Sequence, residues 1–312
     1  MIKSKYIILL IIAVLIIFNV YQNRNITIKE YLIDSDKIPE AFESYKIVQV
    51  SDLHSVTDDG FANNLLQVIR DQEPDIIAIT GDLVDSTIYN QEAISIQEGN
   101  TIGIAGQATV DFVAKLVNIA PVYFVYGNHE MILLDDPDNN SFKVALEDLG
   151  VIFVNNKALL LEKDSEYVNI IGIQDPATLY KDPKFANSGE TSKDRTEIMM
   201  SAVTKNIDVN LFTILLAHRP EFFQIYSQYP IDLALTGHAH GGQIRVPFIR
   251  EGIYAPNQGF WPGYTNGLYN EGPFAMIVGR GLGNSIFPFR VFNSPQLVVV
   301  TLTNSVNSDT LQ

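Results

Sequence analysis

The sequence predicts an α/β layered core behind an apolar amino-terminal segment. Three observations lead there. Short β-branched runs alternate with helix-like stretches from residue 47 onward. Several of those runs end abruptly in Asp, Asn or His. Residues 6–20 are almost uniformly apolar.

At 312 residues, 46% hydrophobic and 10% aromatic, the chain can bury a sizeable core, which excludes a disordered protein. A formal charge of −15 repels a nucleic-acid backbone, so no nucleic-acid binding is expected. The absence of cysteine removes disulfides, thiolate metal sites and cysteine nucleophiles together. The expected organisation is an anchor over residues 1–21, a linker with an edge strand over 22–45, one catalytic domain over 46–303 and a flexible tail over 304–312.

Tyr6 to Val20 reads YIILLIIAVLIIFNV, apolar apart from Asn19, with Lys3 and Lys5 just before it. A cleaved secretory signal would be followed by small residues, whereas Val20 to Asn25 reads VYQNRN. The expectation is therefore an uncleaved transmembrane helix, near the short end of the ~17–25 residues that span a bilayer. A buried core helix fits less well because no polar face interrupts the run. Lys3 and Lys5 against Arg24 lean the catalytic domain to the extracytoplasmic side of the cell membrane.

Beyond an edge-strand candidate at Thr27–Ile33, strands are predicted at Ile47–Val50, Ile76–Thr80, Val122–Tyr126, Val168–Ile173, Phe212–Leu216 and Leu233–Thr236. Helices are predicted at Asn63–Arg70, Val110–Val117 and Phe142–Leu149. After Gly241 the chain turns rich in Gly, Pro and aromatic residues, with strand candidates at Ala275–Val278 and Leu297–Leu302 that read as hairpins completing a second sheet. Ser86–Gln107 and Thr178–Asp194 lack periodicity and read as surface insertions.

The chemistry sits at the strand ends. The first core strand runs into Ser51-Asp52-Leu53-His54, an i, i+2 pair that a pleated backbone would point to one side. The second ends in Gly81-Asp82-Leu83-Val84-Asp85 and the third in Gly127-Asn128-His129-Glu130. Later strands run into His218-Arg219 and into Gly237-His238-Ala239-His240. Ligands of open α/β sheets bind outside the carboxyl ends of the strands, so these ends are expected to share one crevice. A lone histidine there is most often a packed or surface residue; all five histidines of the chain occupying such places is hard to obtain by accident.

Imidazole, carboxylate and carboxamide without sulfur suit Mn, Fe or Zn. The donors exceed the needs of one ion. Two divalent metal ions are expected, ~3.5–4 Å apart and bridged by a carboxylate, an arrangement that activates a hydroxide and clamps both oxygens of a phosphoryl displacement.

In the order Asp-x-His, Gly-Asp-x-x-Asp, Gly-Asn-His-Glu, His and Gly-His-x-His, residues Asp52 to His240 resemble the calcineurin-like metallophosphoesterase family. AHGGQIRVPF, APNQGFWPGYTNGLY and GRGLGNSIFPFRVFNSPQLVVVTL narrow the resemblance to the bacterial YkuE-like and YaeI-like membrane-associated phosphoesterases and extend it over nearly the whole chain. The resemblance implies a four-layer αββα sandwich and hydrolysis of phosphate mono- or diesters, lipid-linked ones among the candidates. It implies that Asp52, His54 and His240 hold the first metal, Asn128, His218 and His238 the second, and that Asp82 bridges them. His129 would be the catalytic acid that protonates the leaving oxygen, or would steady the phosphate. Glu130 stands where the family often has Asp, which bears on the orientation of the ligands.

Asp85 has two readings of equal weight, orienting a ligand histidine through its free ring nitrogen or capping a helix start. Arg219, Arg245 and Arg280 lie in or close to motif loops; substrate contact is one role, and a structural ion pair is the favoured one for each. Phe260-Trp261-Pro262, with Tyr254 and Tyr264, reads as a lipid-touching rim or, preferably, as the packed base of a hairpin. Two rival functions are weaker. A secreted soluble nucleotidase or nuclease conflicts with the charge and the missing cleavage site, and a non-catalytic metal-binding protein of the same fold would lack a ligand or acid that is present here. A monomer is expected, with a phosphate-ester substrate and the membrane as partners.

Overall fold

The computed structural model describes residues 2–55, 58–85, 104–130, 141–181, 188–246, 249, 251–284 and 290–304. α1 (Ile2–Arg24) leads into β1 (Thr27–Asp34), β2 (Lys46–Val50), α2 (Asp59–Arg70) and β3 (Ile76–Ile79). α3 (Ile104–Leu116), β4 (Val122–Phe124), α4 (Ser141–Asp148) and β5 (Ile152–Phe153) follow. The second half holds β6 (Lys157–Lys163), β7 (Glu166–Gly172), α5 (Ser192–Thr204), β8 (Thr213–Leu216), α6 (Phe223–Tyr226) and β9 (Leu233–Thr236). It closes with β10 (Tyr254–Ala255), β11 (Gly259–Phe260), β12 (Gly267–Glu271), β13 (Phe274–Val278) and β14 (Gln296–Thr303).

Local chemistry explains where the helices begin and which face they bury. Asp58 caps α2 by accepting from the Phe61 N–H, and Ala62, Leu65, Leu66 and Ile69 recur at helical spacing as its buried face. Thr191 and Asp194 form a reciprocal capping box that starts α5. The short central strands IIAI, TILL and LALT are buried on both faces, as parallel strands must be when layers cover each side.

The strands form two six-stranded sheets, in the orders β1-β14-β2-β3-β4-β5 and β12-β13-β9-β8-β7-β6. Alternation along β2 shows how they stack. Val48 and Val50 face a core with Leu65, Ile69, Val113 and Phe142 from α2, α3 and α4, while Ile47 faces a second core shared with Ile170, Ile214, Leu233 and Ile277 of the other sheet. A third core lies beyond the second sheet, where Leu215 and Ala234 meet Met199, Met200 and Phe223. The layers are thus α, β, β, α, as the resemblance implied. Gln49 points between the sheets and donates to Thr80 Oγ1 at 2.8 Å and the Thr236 carbonyl at 2.9 Å, tying the two sheets close to their carboxyl ends.

Several expectations change. The last strand does not complete the second sheet: β14 lies inside the first, parallel to β1 and antiparallel to β2. It is apolar on both faces, Leu297 and Val299 toward the helices and Val298, Val300 and Leu302 between the sheets, so its composition suits either sheet and only pairing decides. β6, an Ala-Leu-Leu-Leu run with lysines at both ends at the edge of the second sheet, was not anticipated. α5 begins within the stretch read as an insertion, at the capping box. Residues 86–103 and 182–187 of the two expected insertions lie outside the described residues.

Among the described residues, no helix is long and apolar enough to cross a membrane. The transmembrane helix expected over residues 1–21 is therefore not supported as part of the fold. Helical structure instead runs on to Arg24, and the polar side chains of the last turns bond to the catalytic domain: Asn19 and Asn23 to the Arg290 carbonyl and Gln22 to the Phe292 N–H.

Candidate metal centre

The strand ends converge through an unusual backbone. Asp52, His54, Asp82, His238 and His240 all sit at positive φ, between 47° and 63°, where residues with a Cβ are uncommon and strain collects at functional sites. Asp52 and His54 therefore meet through left-handed turns and not through the pleat that their i, i+2 spacing suggested. The turns are held by pairing with the next loop, the Asp52 N–H on the Gly81 carbonyl and the His54 N–H on the Asp82 carbonyl, both at 3.0 Å. Glycine precedes several ligands because no side chain fits: a Cβ at Gly127 would lie 2.3 Å from Asp82 Oδ1, and one at Gly237 would lie 2.4 Å from Asp52 Oδ2.

Asp52, His54, Asp82, His218, His238 and His240 are buried within one cluster. His54 Nε2 and His240 Nε2 face each other at 3.1 Å, with Asp52 Oδ1 3.5 Å from the latter. His218 Nε2 and His238 Nδ1 face each other at the same 3.1 Å. Asp82 stands between the pairs, its Oδ2 3.2 Å from His218 Nε2, 3.9 Å from His54 Nε2 and 4.0 Å from His129 Nε2. The His129 side chain, 17% exposed, is the most accessible of the five imidazoles, and it packs edge-on against His54 at 4.6 Å.

Neighbouring groups set the ligands' orientation and charge. The His218 Nδ1–H donates to the Thr80 carbonyl at 2.8 Å, leaving Nε2 for the crevice. Asp52 accepts from the His238 N–H at 3.0 and 3.1 Å and from the Ser51 hydroxyl. Burial pushes Asp52 up to about 6 and pulls His54 down to about 4. Burial alone would raise Asp82 and lower His218, but their mutual attraction overrides it, holding Asp82 well below the carboxylate range and pushing His218 up to about 10. Burial also pulls His238 and His240 well down, so both are neutral.

Glu130 hydrogen-bonds to backbone and not to ligand side chains among the described residues. Fully buried, it accepts four backbone N–H groups, from Asp82 (2.9 Å), Leu83 (2.7 Å), Val84 (3.2 Å) and Gly127 (2.7 Å), and so fixes the backbone of the loop that carries Asp82. Burial pushes it up to about 7 while these N–H groups oppose the shift. Four donors need four lone pairs, which only the ionised form offers, and on that geometry Glu130 is a carboxylate.

The donor set fits divalent cations. The buried Asn128 Oδ1 and His54 Nδ1 have no hydrogen-bond partner, and two pairs of ring nitrogens and two buried carboxylates converge within one cluster, a donor set that divalent cations would take in place of the proton on His218. Asp85 comes only to 3.9 Å from His54 Nδ1, too far for the orienting hydrogen bond, and its capping alternative concerns residues from 86 onward that lie outside the described ones. Arg219 is not a substrate contact, since its guanidinium is committed to Asp175 at 2.6 and 3.1 Å and to Glu221 at 3.4 Å. Arg245 donates to the Gly241 carbonyl at 3.0 Å, and Arg280 to Asn266 at 3.2 Å. Tyr264 packs on Phe223 and Phe260 lies against Tyr254 across the β10–β11 hairpin at 5.4 Å, while Phe260 and Trp261 remain 74% and 66% exposed. The sequence reading missed Asp175, Arg290 and Asn293: Arg290 Nη2 lies 3.4 Å from His240 Nδ1, and Asn293 donates to the His240 carbonyl at 2.7 Å. No spacing or periodicity marks them.

The family profile described as Calcineurin-like phosphoesterase matches residues 45–242, more than half of the chain. The chain is 29% identical over 286 residues to the uncharacterized metallophosphoesterase YkuE of Bacillus subtilis (strain 168), covering 88% of this chain and 85% of that protein. It is 26% identical over 265 residues to the phosphodiesterase YaeI of Escherichia coli (strain K12), covering 83% and 82%. Among solved structures, the protein TT1561 of Thermus thermophilus superposes with a TM-score of 0.44 at 13% identity, covering 77% of this chain and 90% of that one.

Proposed function

The chain belongs to the calcineurin-like phosphoesterase family and is a metal-dependent phosphoester hydrolase, and from that premise we propose that it works with two ions. Asp52, His54 and His240 would hold one, Asn128, His218 and His238 the other, with Asp82 between them. The observation that carries this reading is the place of Asp82 Oδ2, a single carboxylate oxygen within 4 Å of both histidine pairs. Bound there, two divalent ions would supply an activated water at neutral pH and positive charge for the phosphoryl oxygens.

The protein groups do the rest. Glu130 and the left-handed turns hold the ligands in place before substrate arrives, so little reorganisation is left for the reaction. His129, accessible and anchored through its backbone N–H to Asp82 Oδ1 at 2.9 Å, is placed to donate a proton to a departing oxygen. By likeness to the phosphodiesterase YaeI, a diester is the first substrate class to test. Association with a membrane, with the catalytic domain outside the cytoplasm, is part of the same proposal; exposed Ile7, Leu9, Leu10, Ile16 and Ile17 on α1 support it, as do Phe260 and Trp261. Lipid-linked phosphates are the corresponding natural class.

The deciding experiment strips the full chain of metal, reloads it with Mn²⁺ and measures ions per chain together with turnover of nitrophenyl mono- and diesters. Two ions per chain and turnover that depends on both are expected. Full turnover with one ion would sink the two-ion reading, and recovery of the protein from cells free of membranes would sink the anchored one.

A further inference from the structure

The end of α1 is joined to the metal centre by a chain of direct contacts. The Asn23 carboxamide takes both backbone bonds of Arg290, accepting from its N–H at 2.8 Å and donating to its carbonyl at 3.0 Å, as a neighbouring strand would. Asn19, one turn earlier on the same face, donates to that carbonyl at 2.7 Å. Buried Gln22 accepts from the Phe292 N–H at 3.0 Å, and the Phe18 ring lies 5.6 Å from that of Phe292. Removing α1 would leave the polar backbone of residues 290–292 without these partners, a cost of the kind that reorganises a loop.

That strip in turn grips two ligands. The fully buried Arg290 guanidinium donates to the carbonyls of Gly283 and Arg280. The loop it holds lies directly on Asp52: the Gly283 N–H donates to the Asp52 carbonyl at 2.6 Å, and a Cβ on Gly281 would come within 2.6 Å of Asp52 Cβ. Asn293 Nδ2 reaches the carbonyls of His240 at 2.7 Å and Gln243 at 3.2 Å. Burial pulls Arg290 down to about 10, and the nearby Asp52 carboxylate opposes that shift, which couples Arg290 to Asp52 by charge as well as through the loop.

We propose that the last two turns of α1 are a positioning element of the metal centre, setting Asp52 and His240 through Arg290 and Asn293. The helix is then more than a tether, and a chain shortened to remove it would fold with a loosened first-ion site. The inference rests on the two-ion assignment above. It concerns the first ion foremost, because the contacts of residues 290–293 lead directly to Asp52 and His240 and reach the second ion's residues only at one remove, through the His238 N–H on Asp52.

The test uses the full chain, stripped with a chelator and titrated with Mn²⁺ alone. In Asn19→Ala/Asn23→Ala, one of two sites should weaken by about 10–100-fold, the range typical for loss of outer-sphere support, and the other should keep its affinity. In a His54→Ala background, which leaves only the Asn128/His218/His238 site, the same double substitution should change nothing. Asn293→Ala reproduces the selective loss if the double variant folds poorly, and Tyr21→Ala, on the outward face of the same turn, has no effect. Unchanged affinities, or equal weakening of both sites, would overturn the proposal. If the wild-type chain holds a single ion, the two-ion reading fails, and the proposal is still decided by whether that ion's affinity falls in the double variant.

Discussion

Glu130→Gln isolates the role of one buried carboxylate in shaping the centre. Its Oε1 accepts from Leu83 and Val84, its Oε2 from Asp82 and Gly127, all in a fully buried place. Glutamine keeps one oxygen and puts an NH2 group where the other stood, so two N–H donors lose their acceptor and face another donor. With about 1.5–3 kcal/mol for each bond to a charged group, the loss comes to roughly 3–6 kcal/mol, a large share of the ~5–15 kcal/mol that stabilises a typical domain. The assay is urea unfolding of the metal-free chain at pH 6 and pH 8. A carboxyl raised to about 7 would stay protonated in the folded state at pH 6, its folded form would lose stability as pH rose toward and through 7, and glutamine would mimic it closely at the lower pH. The four donors argue for the ionised form at both, so the same loss is expected at pH 6 and pH 8. A cost below ~1 kcal/mol at pH 6 would refute the four-donor reading and show a protonated Glu130.

Asp82→Ala should hold neither ion, because the one oxygen close to both histidine pairs is gone; elemental analysis showing two ions per chain would remove its bridging role. His129→Ala should keep the ions yet slow an alkyl ester by about 10²–10⁴-fold while sparing a nitrophenyl ester, whose leaving group departs without a proton, and equal losses on both would remove His129 from the acid role. His218, pushed up to about 10 by Asp82, carries a proton in the metal-free chain at neutral pH. That pairing stabilises the metal-free fold below the ordinary histidine range and is lost as pH rises through about 10, so an ion binding His218 must displace the proton. Calorimetry in buffers of different ionisation enthalpy should show about one proton released and affinity rising roughly tenfold per pH unit between about 7 and 9; no release would mean a neutral His218.

The candidate ligands were legible as a cluster because their chemistry is written in residue type and place. Five histidines at the ends of four strands identified the crevice, and it holds all of them. What the sequence concealed is backbone conformation and partner choice. Nothing in the spacing of Asp52 and His54 distinguishes a pleated strand from two left-handed turns, because the pairing with Gly81 and Asp82 that fixes those turns is made with a loop distant in the chain. β14, apolar on both faces, was recognised as a strand and placed in the wrong sheet for the same reason. Glu130 read as a neighbour of ligand side chains, whereas its partners are amides, which carry no residue signature.

The division of ligands between the sheets has a mechanical consequence. Asp52, His54, Asp82 and Asn128 follow β2, β3 and β4 of the first sheet, whereas His218, His238 and His240 follow β8 and β9 of the second. On the proposed assignment each ion draws on both: the first joins Asp52 and His54 to His240, and the second joins Asn128 to His218 and His238. On that assignment neither sheet would hold an ion alone, and the centre would exist only while the inter-sheet core keeps the two sets of strand ends in register. Gln49, bonded to Thr80 of one sheet and Thr236 of the other just below the ligands, is the polar contact nearest to that requirement. An ion present at about 100 times its dissociation constant adds about 2.7 kcal/mol to the folded state, and on the proposed assignment that increment would act across the seam between the sheets. The residues assigned to the ions would thus also be cross-links, and substitutions in the seam should register first in metal affinity.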